Sequence, residues 1–360
     1  MKSTKVTSYK LPLIILSCLL AITIGVLIAI WIPYSTGQRS EGKYESTGFA
    51  MGTYMQQTLF GGTESDRTDT AVNATKAVSD LQSHISWRET DSDIQNLNNH
   101  AGEQRVSIHE DTASVLNISL EVARRTNGAY DPTILSLSLL WNFDEGANKV
   151  PEKAAIKEHL QYVGYSALQV DSEGNTAFLS EKNSAVDLGA IGKGAACDAA
   201  VSVYRQSNLT GGIVAVGGSV GVYGKKADGS KWNIGVRNPN SENTSASMGT
   251  LSIEEGFVST SGTYERTFTE NGVMYHHILN PKTGYPADTD LVSVTIYCNN
   301  GALSDALSTA CTVLGVEQSK ALLASYDADA IFITKENKVI VTDGLKDCFE
   351  ITASGFTLQS

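Results

Sequence analysis

The stretch Gly301–Gly315, GALSDALSTACTVLG, constrains the fold of this chain more than any other. Its apolar residues recur at steps of three and four positions, which predicts an amphipathic helix with one buried face. Asp305, Ser308 and Thr309 stand at i, i+3 and i+4, so they share one side of that helix near its start. The strand-like stretch Val292–Tyr297 runs straight into this helix.

The three polar side chains on this helix offer oxygen atoms alone, one carboxylate and two hydroxyls. Such hard ligands suit Mg²⁺ rather than zinc or copper. A second interpretation needs no metal, because Ser304 and Asp305 favour a helix N-terminus in their own right and the hydroxyls can be solvated. This stretch by itself leaves both interpretations open.

A long apolar run near the N-terminus, Leu11–Ile32, is interrupted only by Ser17 and Thr23. As a helix, its roughly 22 residues would extend about 33 Å, enough to cross the hydrocarbon core of a membrane. Three lysines precede the run, which predicts a cytoplasmic N-terminus with the remainder of the chain outside the cytoplasm. These lysines are Lys2, Lys5 and Lys10.

We therefore predict a cytoplasmic segment over residues 1–10, a transmembrane anchor or signal segment over 11–33, a polar linker over 34–47 and one domain over 48–360. The stretch Ile15–Cys18 faintly resembles a lipoprotein signal, but the apolar run continues well past the cysteine. An uncleaved single-pass anchor in the cell membrane is thus favoured over a lipoprotein or a secreted form.

Charge and cysteine usage exclude some classes of function. The net charge of −12 argues against nucleic acid as a partner, because phosphate contacts need a basic surface. The five cysteines include no CxxC pair and no zinc-like spacing. Cys18 lies in the apolar run, and we interpret the other four as small core residues, leaving a disulfide among them open. Those four are Cys197, Cys298, Cys311 and Cys348.

A glycine-rich turn follows Asp187 in the stretch VDLGAIGKGAACD and carries Lys193 where a helix begins. Backbone N–H groups at such a helix start, together with a lysine, form an anion site suited to phosphate. The spacing fits neither a Walker A loop nor GxGxxG. The alternative is that the glycines serve close packing between helix and strand.

Three further stretches carry candidate ligand-binding or catalytic residues. Asp131, in AYDPT, is held extended or in a turn by Pro132 and can fix a polar edge of a ligand, or it caps the next segment. Trp87, ahead of a polar loop, either offers a stacking surface for a ligand or packs at the edge of the hydrophobic core. His276 and His277 precede a turn, where a histidine can act as a general base or serve a structural role.

These stretches follow one another in an order that closely resembles the ApbE family, the flavin transferases that move FMN from FAD onto a protein threonine or serine. The resemblance covers roughly residues 48–350. Its motifs, in chain order, are MGT, S-x-W with SDIQNLN, GAYDPT with LWNF, VDLGAIGKGAACD, VGGSV, STSGTYER, HHILNPKTG and SDALSTA.

The resemblance implies an α+β fold with mixed sheets and packed helices in two intimately associated subdomains, which binds FAD with Mg²⁺ at its diphosphate. Asp305 and Thr309 match the family's metal ligands, Ser308 lies next to them, and the carbonyl of Ala190 matches a backbone ligand. His277 matches the residue expected to activate the acceptor hydroxyl, with His276 as its competitor. The positions that match FAD contacts are Met51, Trp87, Ala129, Tyr130, Asp131, Asp187, Lys193 and Ile278.

Two positions depart from the family pattern: Asn280 stands where an acid usually precedes Pro281, and Ser219 where an acid or amide is common. The expected activity is Mg²⁺-dependent transfer of FMN from FAD to a threonine or serine, with release of AMP and with His277 and Asp305 as catalytic residues. Alternatives are an FAD pyrophosphatase and a membrane-tethered FAD carrier without chemistry. The implied partners are FAD and an extracytoplasmic flavoprotein, such as a redox-pump subunit or an FMN-binding electron-transfer domain.

Overall fold

The computed structural model of the protein describes residues 38–40, 42–143 and 149–359. The predicted cytoplasmic segment 1–10 and the predicted membrane segment 11–33 lie outside these residues. Among the residues described, no helix combines the length and the apolar character needed to cross a membrane.

The strands form one large sheet and three small ones. In chain order they are β1 (Gln38–Ser40), β2 (Lys43–Ala50), β3 (Thr53–Gly61), β4 (Val106–Ser107), β5 (Leu168–Asp171), β6 (Thr176–Leu179), β7 (Leu209–Val216), β8 (Ser219–Gly224), β9 (Trp232–Arg237), β10 (Ser247–Ile253), β11 (Gly256–Gly262), β12 (Thr267–Glu270), β13 (Val273–His276), β14 (Leu291–Cys298), β15 (Asp329–Thr334), β16 (Lys338–Val341), β17 (Phe349–Ile351) and β18 (Thr357–Gln359).

The large sheet has the order β1-β2-β3-β7-β8-β11-β14-β15-β16-β18. Its neighbouring strands pair antiparallel except β16 and β18, which are parallel. The small sheets are β17-β10-β9, β4-β6-β5 and the hairpin β12-β13. The first strand, β1, and the last strand, β18, form the two opposite edges of the large sheet.

The helices pack against the large sheet and against one another. They are α1 (Glu64–Ile85), α2 (Asp93–Asn99), α3 (Glu110–Arg125), α4 (Leu135–Trp141), α5 (Lys153–Leu160), α6 (Gly192–Arg205), α7 (Gly301–Leu314) and α8 (Val316–Ala324). Local capping explains several helix starts. Thr63 and Asp66 form a capping box at α1, and the Asn300 side chain accepts a hydrogen bond from Leu303 N at α7.

The two faces of the large sheet are covered differently. The largest apolar cluster joins α1, α2, α3, α6 and α7 to strands β14 and β15. A second cluster packs the sheet β17-β10-β9 against residues of β8, β11, β15 and β16. Helices α6 and α7 contact strands of the large sheet on one side and α1 and α3 on the other.

The mixed α+β class is confirmed, whereas the division into two subdomains stays a prediction. Residues 38–40 and 43–47, which the prediction assigned to the linker 34–47, belong to β1 and β2. Tyr44 and Ser46 are buried there, and the Ser46 hydroxyl accepts a hydrogen bond from Gln57 Nε2 at 3.3 Å. A polar strand is stable in this position because its inward hydroxyl has a partner. The four cysteines within the described residues are free thiols.

Candidate functional site

The start of α6 and the middle of α7 meet at Asp305. This carboxylate is only 3% exposed, and its Oδ2 accepts a hydrogen bond from Gly194 N at 3.0 Å. Lys193 Nζ lies 3.7 Å from the same oxygen and donates to the carbonyl of Gly189 at 3.2 Å. The helix with the predicted metal ligands and the turn predicted to bind phosphate thus form one site.

Glycines explain how the two helices come so close. A Cβ added to Gly194 would lie 2.0 Å from the carbonyl oxygen of Gly301, and a Cβ added to Gly301 would lie 2.4 Å from the carbonyl oxygen of Gly194. Neither position has room for a side chain. The backbones of α6 and α7 therefore touch directly, which places Asp305 within reach of the N–H of Gly194.

Ser261, on β11, joins the two hydroxyls of α7. Its Oγ lies 2.6 Å from Ser308 Oγ and 3.3 Å from Thr309 Oγ1. Ser308 is completely buried and also donates to the carbonyl of Asp305 at 2.8 Å, while Thr309 is half-buried. Ser308 is therefore already engaged twice within the protein, and Thr309 is the more open of the two hydroxyls.

The donor set around Asp305 fits a magnesium ion. It consists of one carboxylate and the hydroxyls of Ser308 and Thr309, whereas the part of the Ala190 carbonyl, in the turn before α6, stays a prediction. Among the residues described, no three His, Cys, Asp or Glu side chains cluster as a transition-metal site would require. With a single carboxylate, a cation here would take its remaining ligands from water and from substrate phosphates, as Mg²⁺ commonly does in proteins.

Tyr130, Asp131 and Asp187 lie close to this site. Burial raises the pKa of the Tyr130 hydroxyl, and the charges of Asp305, Asp187 and Asp131 raise it further. Asp187 N donates to the carbonyl of Pro132 at 2.8 Å, which ties the Asp131 turn to the segment before α6. Asp187 Oδ1 accepts a hydrogen bond from Gly189 N at 2.8 Å, so this carboxylate shapes the glycine-rich turn.

The Asp131 carboxylate is held by the protein itself. Oδ1 accepts hydrogen bonds from Thr133 N at 2.9 Å and Thr133 Oγ1 at 2.6 Å, and Oδ2 accepts one from Tyr165 N at 2.8 Å. Burial nevertheless raises its pKa. This arrangement agrees with the capping interpretation, and contact of Asp131 with FAD stays a prediction.

The β2–β3 hairpin brings Met51 towards the site. Met51 stands at the hairpin tip with φ of 52°, and its N–H donates to Gln82 Oε1 of α1 at 2.6 Å. A Cβ added to Gly217, in the turn between β7 and β8, would meet both Thr53 of this hairpin and Lys193 Cδ at 3.1 and 3.3 Å. The two turns and Lys193 therefore lie together at one end of strands β3, β7 and β8.

Trp87 and Ala129 are placed less directly. The Trp87 ring is half-buried against the main core, and the Arg88 guanidinium lies 4.1 Å from its centroid. Ala129 is buried, and its N–H donates to the carbonyl of Thr126 at 3.1 Å. No described contact joins either residue to Asp305 or Lys193, so their roles stay predictions.

The two adjacent histidines differ in their surroundings. His277 Nδ1 lies 3.0 Å from the carbonyl of Glu265 and must carry its proton there, which leaves Nε2 as an acceptor. Burial, together with the smaller effect of the charges of Arg266 and Lys193, lowers the pKa of His277 to about 4. The influence of Lys193 places this imidazole near the site. Ile278 is buried, and its carbonyl accepts a hydrogen bond from Ala287 N at 2.9 Å.

His276 faces the interior. Its Nε2 lies 3.0 Å from the carbonyl of Ala287, and its Nδ1 is buried without a hydrogen-bond partner among the described residues. Burial lowers its pKa as well. Of the two histidines, only His277 has Lys193 among the charges that lower its pKa.

Sequence reasoning missed Ser261 and Gln82. Ser261 stands inside the STSG motif, so the motif itself was the available signal, but its partners on α7 come 47 and 48 residues later. Gln82 gave no local signal, because an exposed-looking amide on a helix is common.

Comparisons with known proteins agree in fold and family. The model of the ApbE family matches residues 51–332. An FAD:protein FMN transferase of Treponema pallidum is 32% identical over 289 residues, covering 76% of this chain and 80% of that protein. One of Klebsiella pneumoniae is 30% identical over 273 residues, covering 76% and 84%. The crystal structure of an ApbE protein from Thermotoga maritima superposes with a TM-score of 0.74 at 29% identity, covering 85% of this chain and 99% of that one.

Proposed function

This chain belongs to the ApbE family and is an FAD:protein FMN transferase, and we propose that its transfer depends on Mg²⁺ and ends on a threonine or serine hydroxyl of an extracytoplasmic flavoprotein. The observation that carries the proposal is the convergence of Asp305, Lys193 and the start of α6 on one oxygen-lined site.

In the proposed reaction the acceptor hydroxyl oxygen bonds to the phosphorus of the FMN half of FAD. The P–O bond of the anhydride to AMP breaks, and AMP leaves with its electron pair. His277 Nε2 takes the hydroxyl proton, since Nδ1 is occupied by the carbonyl of Glu265. The Lys193 ammonium at the start of α6 stabilises the charge that develops on the phosphate oxygens.

Asp305, Thr309, Ser308 and the Ala190 carbonyl are the residues that would hold Mg²⁺. When bound, the ion supplies Lewis-acid neutralisation of the diphosphate. Asp305 holds the N–H of Gly194 through Oδ2, while its Oδ1 has no hydrogen-bond donor within the described part of the chain. That oxygen is the one available to a cation.

The test is a transfer assay with the purified chain, FAD, Mg²⁺ and a candidate acceptor domain, following acceptor mass and released nucleotide together. An FMN-sized mass gain matched by AMP supports the transferase. Chelation by EDTA should abolish the gain, and added Mg²⁺ should restore it. Transfer that survives EDTA would contradict the metal dependence.

Two variants locate the metal within this assay. Asp305→Ala should abolish turnover at any Mg²⁺ concentration. Asp329→Ala should retain turnover. It removes a carboxylate on β15 that accepts hydrogen bonds from Thr342 and Gly344. Full activity of Asp305→Ala would refute the assignment. AMP and free FMN without labelled acceptor would indicate FAD hydrolysis, and FAD that is bound but never consumed would indicate a carrier.

A further inference from the structure

Asp198 connects the two helices of the site at a second point. It lies on α6 one turn after Gly194, and its two oxygens accept separate hydrogen bonds from the start of α7. Oδ1 accepts from Gly301 N at 2.8 Å, and Oδ2 accepts from Ala302 N at 2.7 Å. These are among the first N–H groups of α7, which have no partner within their own helix.

The start of α7 is therefore capped by two residues. Asn300 supplies the ordinary local cap by accepting from Leu303 N at 2.7 Å. Asp198 reaches across from another helix to the two preceding N–H groups. A Cβ added to Gly301 would lie 3.1 Å from Asp198 Cγ, so the glycine also makes room for this carboxylate.

We propose that Asp198 is a positioning residue, which fixes the start of α7 against α6 and thereby sets the distance between Asp305 and the Lys193–Gly194 turn. Each helix contributes one side of the site: Lys193 and Gly194 precede Asp198 on α6, and Asp305 follows Gly301 and Ala302 by one turn on α7. The contact from Gly194 N to Asp305 Oδ2 can hold its 3.0 Å length only while α7 keeps its place.

The burial and hydrogen bonding of Asp198 agree with a specific structural role for its carboxylate. Burial raises its pKa to about 6, although both hydrogen bonds and the charge of Arg205 act in the opposite direction. A carboxylate kept in such a place must use both acceptor oxygens, and an amide cannot replace it. The NH₂ group of asparagine accepts no hydrogen bond and would leave one N–H of α7 unpaired.

The chain offers a matched control in Asp93. This buried carboxylate on α2 also binds the start of another helix, α3: its Oδ2 accepts from His109 N at 2.7 Å and from Thr112 Oγ1 at 2.6 Å, and His109 Nδ1 lies 3.0 Å from both of its oxygens. Asp198→Asn and Asp93→Asn thus make the same chemical change at two helix starts, of which only one belongs to the site.

The experiment measures Mn²⁺ binding to the full chain in the presence of ADP, by electron paramagnetic resonance of the free ion. Asp198→Asn should weaken Mn²⁺ affinity about 10-fold or more, the usual effect of losing a residue that orients metal ligands. Asp93→Asn should leave the affinity unchanged. Unchanged affinity in Asp198→Asn, or equal losses in both variants, would overturn the proposal.

The metal readout rests on the proposed function, so a second readout is independent of it. Hydrogen exchange of the peptide covering the first turn of α7 should be faster in Asp198→Asn than in the wild type and unchanged in Asp93→Asn. If the wild-type chain takes up no Mn²⁺, the metal part of the proposed function fails, and exchange alone decides this inference. Equal exchange in all three proteins would then refute it.

Discussion

At the scale of single residues, His276 and His277 differ in which ring nitrogen donates to a backbone carbonyl. His277 donates a hydrogen bond from Nδ1 to the carbonyl of Glu265 and keeps Nε2 as an acceptor, whereas His276 donates from Nε2 to the carbonyl of Ala287. The nitrogen left over on His276 is buried, and Lys193 acts on the pKa of His277 but not on that of His276. The tautomer and the orientation of each ring therefore decide which histidine can accept a proton from the acceptor hydroxyl.

The low pKa of His277 predicts an unusual pH profile. The imidazole accepts a proton only when neutral, and burial lowers its pKa to about 4. The transfer rate should therefore be level from about pH 5 upwards and fall only as the pH drops through the pKa. The measurement is single-turnover transfer between acidic and neutral pH. An acid limb centred near the ordinary value for histidine would contradict this prediction.

Replacing each histidine in turn separates the base from its neighbour. His277→Asn should slow transfer by about 10²- to 10⁴-fold and abolish the acid limb. His276→Asn should lower stability, because a buried ring is lost, but keep the shape of the pH profile. Equal kinetic losses in both variants would show that the assay reports folding and not proton transfer.

Ser261 offers a finer test of the hydroxyls on α7. Ser261→Ala removes its contacts to Ser308 and Thr309, and a hydrogen bond of this kind contributes about 0.5–1.5 kcal/mol. The Mg²⁺ concentration for half-maximal transfer should rise by about 2- to 10-fold. Ser259→Ala, on the same strand and bonded to Ser219 and Ser304, is the control and should leave that concentration unchanged.

At the scale of elements, the contact between α6 and α7 controls the site. Gly194→Ala would place a methyl group 2.0 Å from the carbonyl oxygen of Gly301, so the helices must separate. We expect a loss of at least about 1–3 kcal/mol in the free energy of unfolding. Gly192→Ala is the control, because its Cβ would meet only Ile85 Cδ1 at an ordinary 3.5 Å.

Chemical denaturation of both glycine variants provides the measurement. Gly192→Ala should range from unchanged to about 1 kcal/mol more stable, since alanine is the better helix former. If both variants unfold at the wild-type denaturant concentration, the helices have more freedom than the close approach of their backbones implies.

Local periodicity explains which elements were predictable. The helix α7 and the strand β14 follow from spacing within a short window, and both appear where the sequence indicates. The cap from Asp198 to Gly301 joins residues 103 positions apart, and no local pattern encodes it. The same holds for the pairing of β3 with β7. The strand at residues 43–47 was missed because its buried positions include a serine that is satisfied only by tertiary contact.

The site residues divide in the same way. Asp305 and Lys193 were predictable because helix spacing and a glycine turn carry their chemistry in consecutive residues. Their meeting depends on Gly194 and Gly301, whose importance appears only when the two backbones touch. The residue types of the site are therefore visible in the sequence, while the distances between them belong to the fold.

At the scale of the whole molecule, the domain begins with β1 at the edge of the large sheet, directly after the predicted anchor. The full chain should therefore be recovered with membranes, and a chain lacking residues 2–37 should be recovered in the soluble fraction and still transfer FMN. Cell fractionation followed by the transfer assay tests both outcomes. Identical partitioning of the two chains would refute the anchor.

A single substitution distinguishes an anchor helix from a lipid anchor. Cys18→Ser removes the thiol that a lipoprotein would require but hardly changes the apolar run. If the run spans the membrane, this variant stays with the membranes. Its release into the soluble fraction would identify the chain as a lipoprotein.

The short edge strand β1 also has a mechanical consequence. It pairs with β2 over three residue pairs only, from Gln38↔Glu45 to Ser40↔Lys43. Tension arriving through residue 38 acts at the open end of this hairpin, so its bonds break one after another and not together. Once β1 has detached from β2, the freed segment can extend by about 15 Å. The next strand pair, β2–β3, is then loaded at Lys43, at the end of the hairpin opposite Met51. If the predicted anchor holds the chain at residue 38, strand β1 would therefore detach before any load reaches the β2–β3 hairpin, whose tip carries Met51.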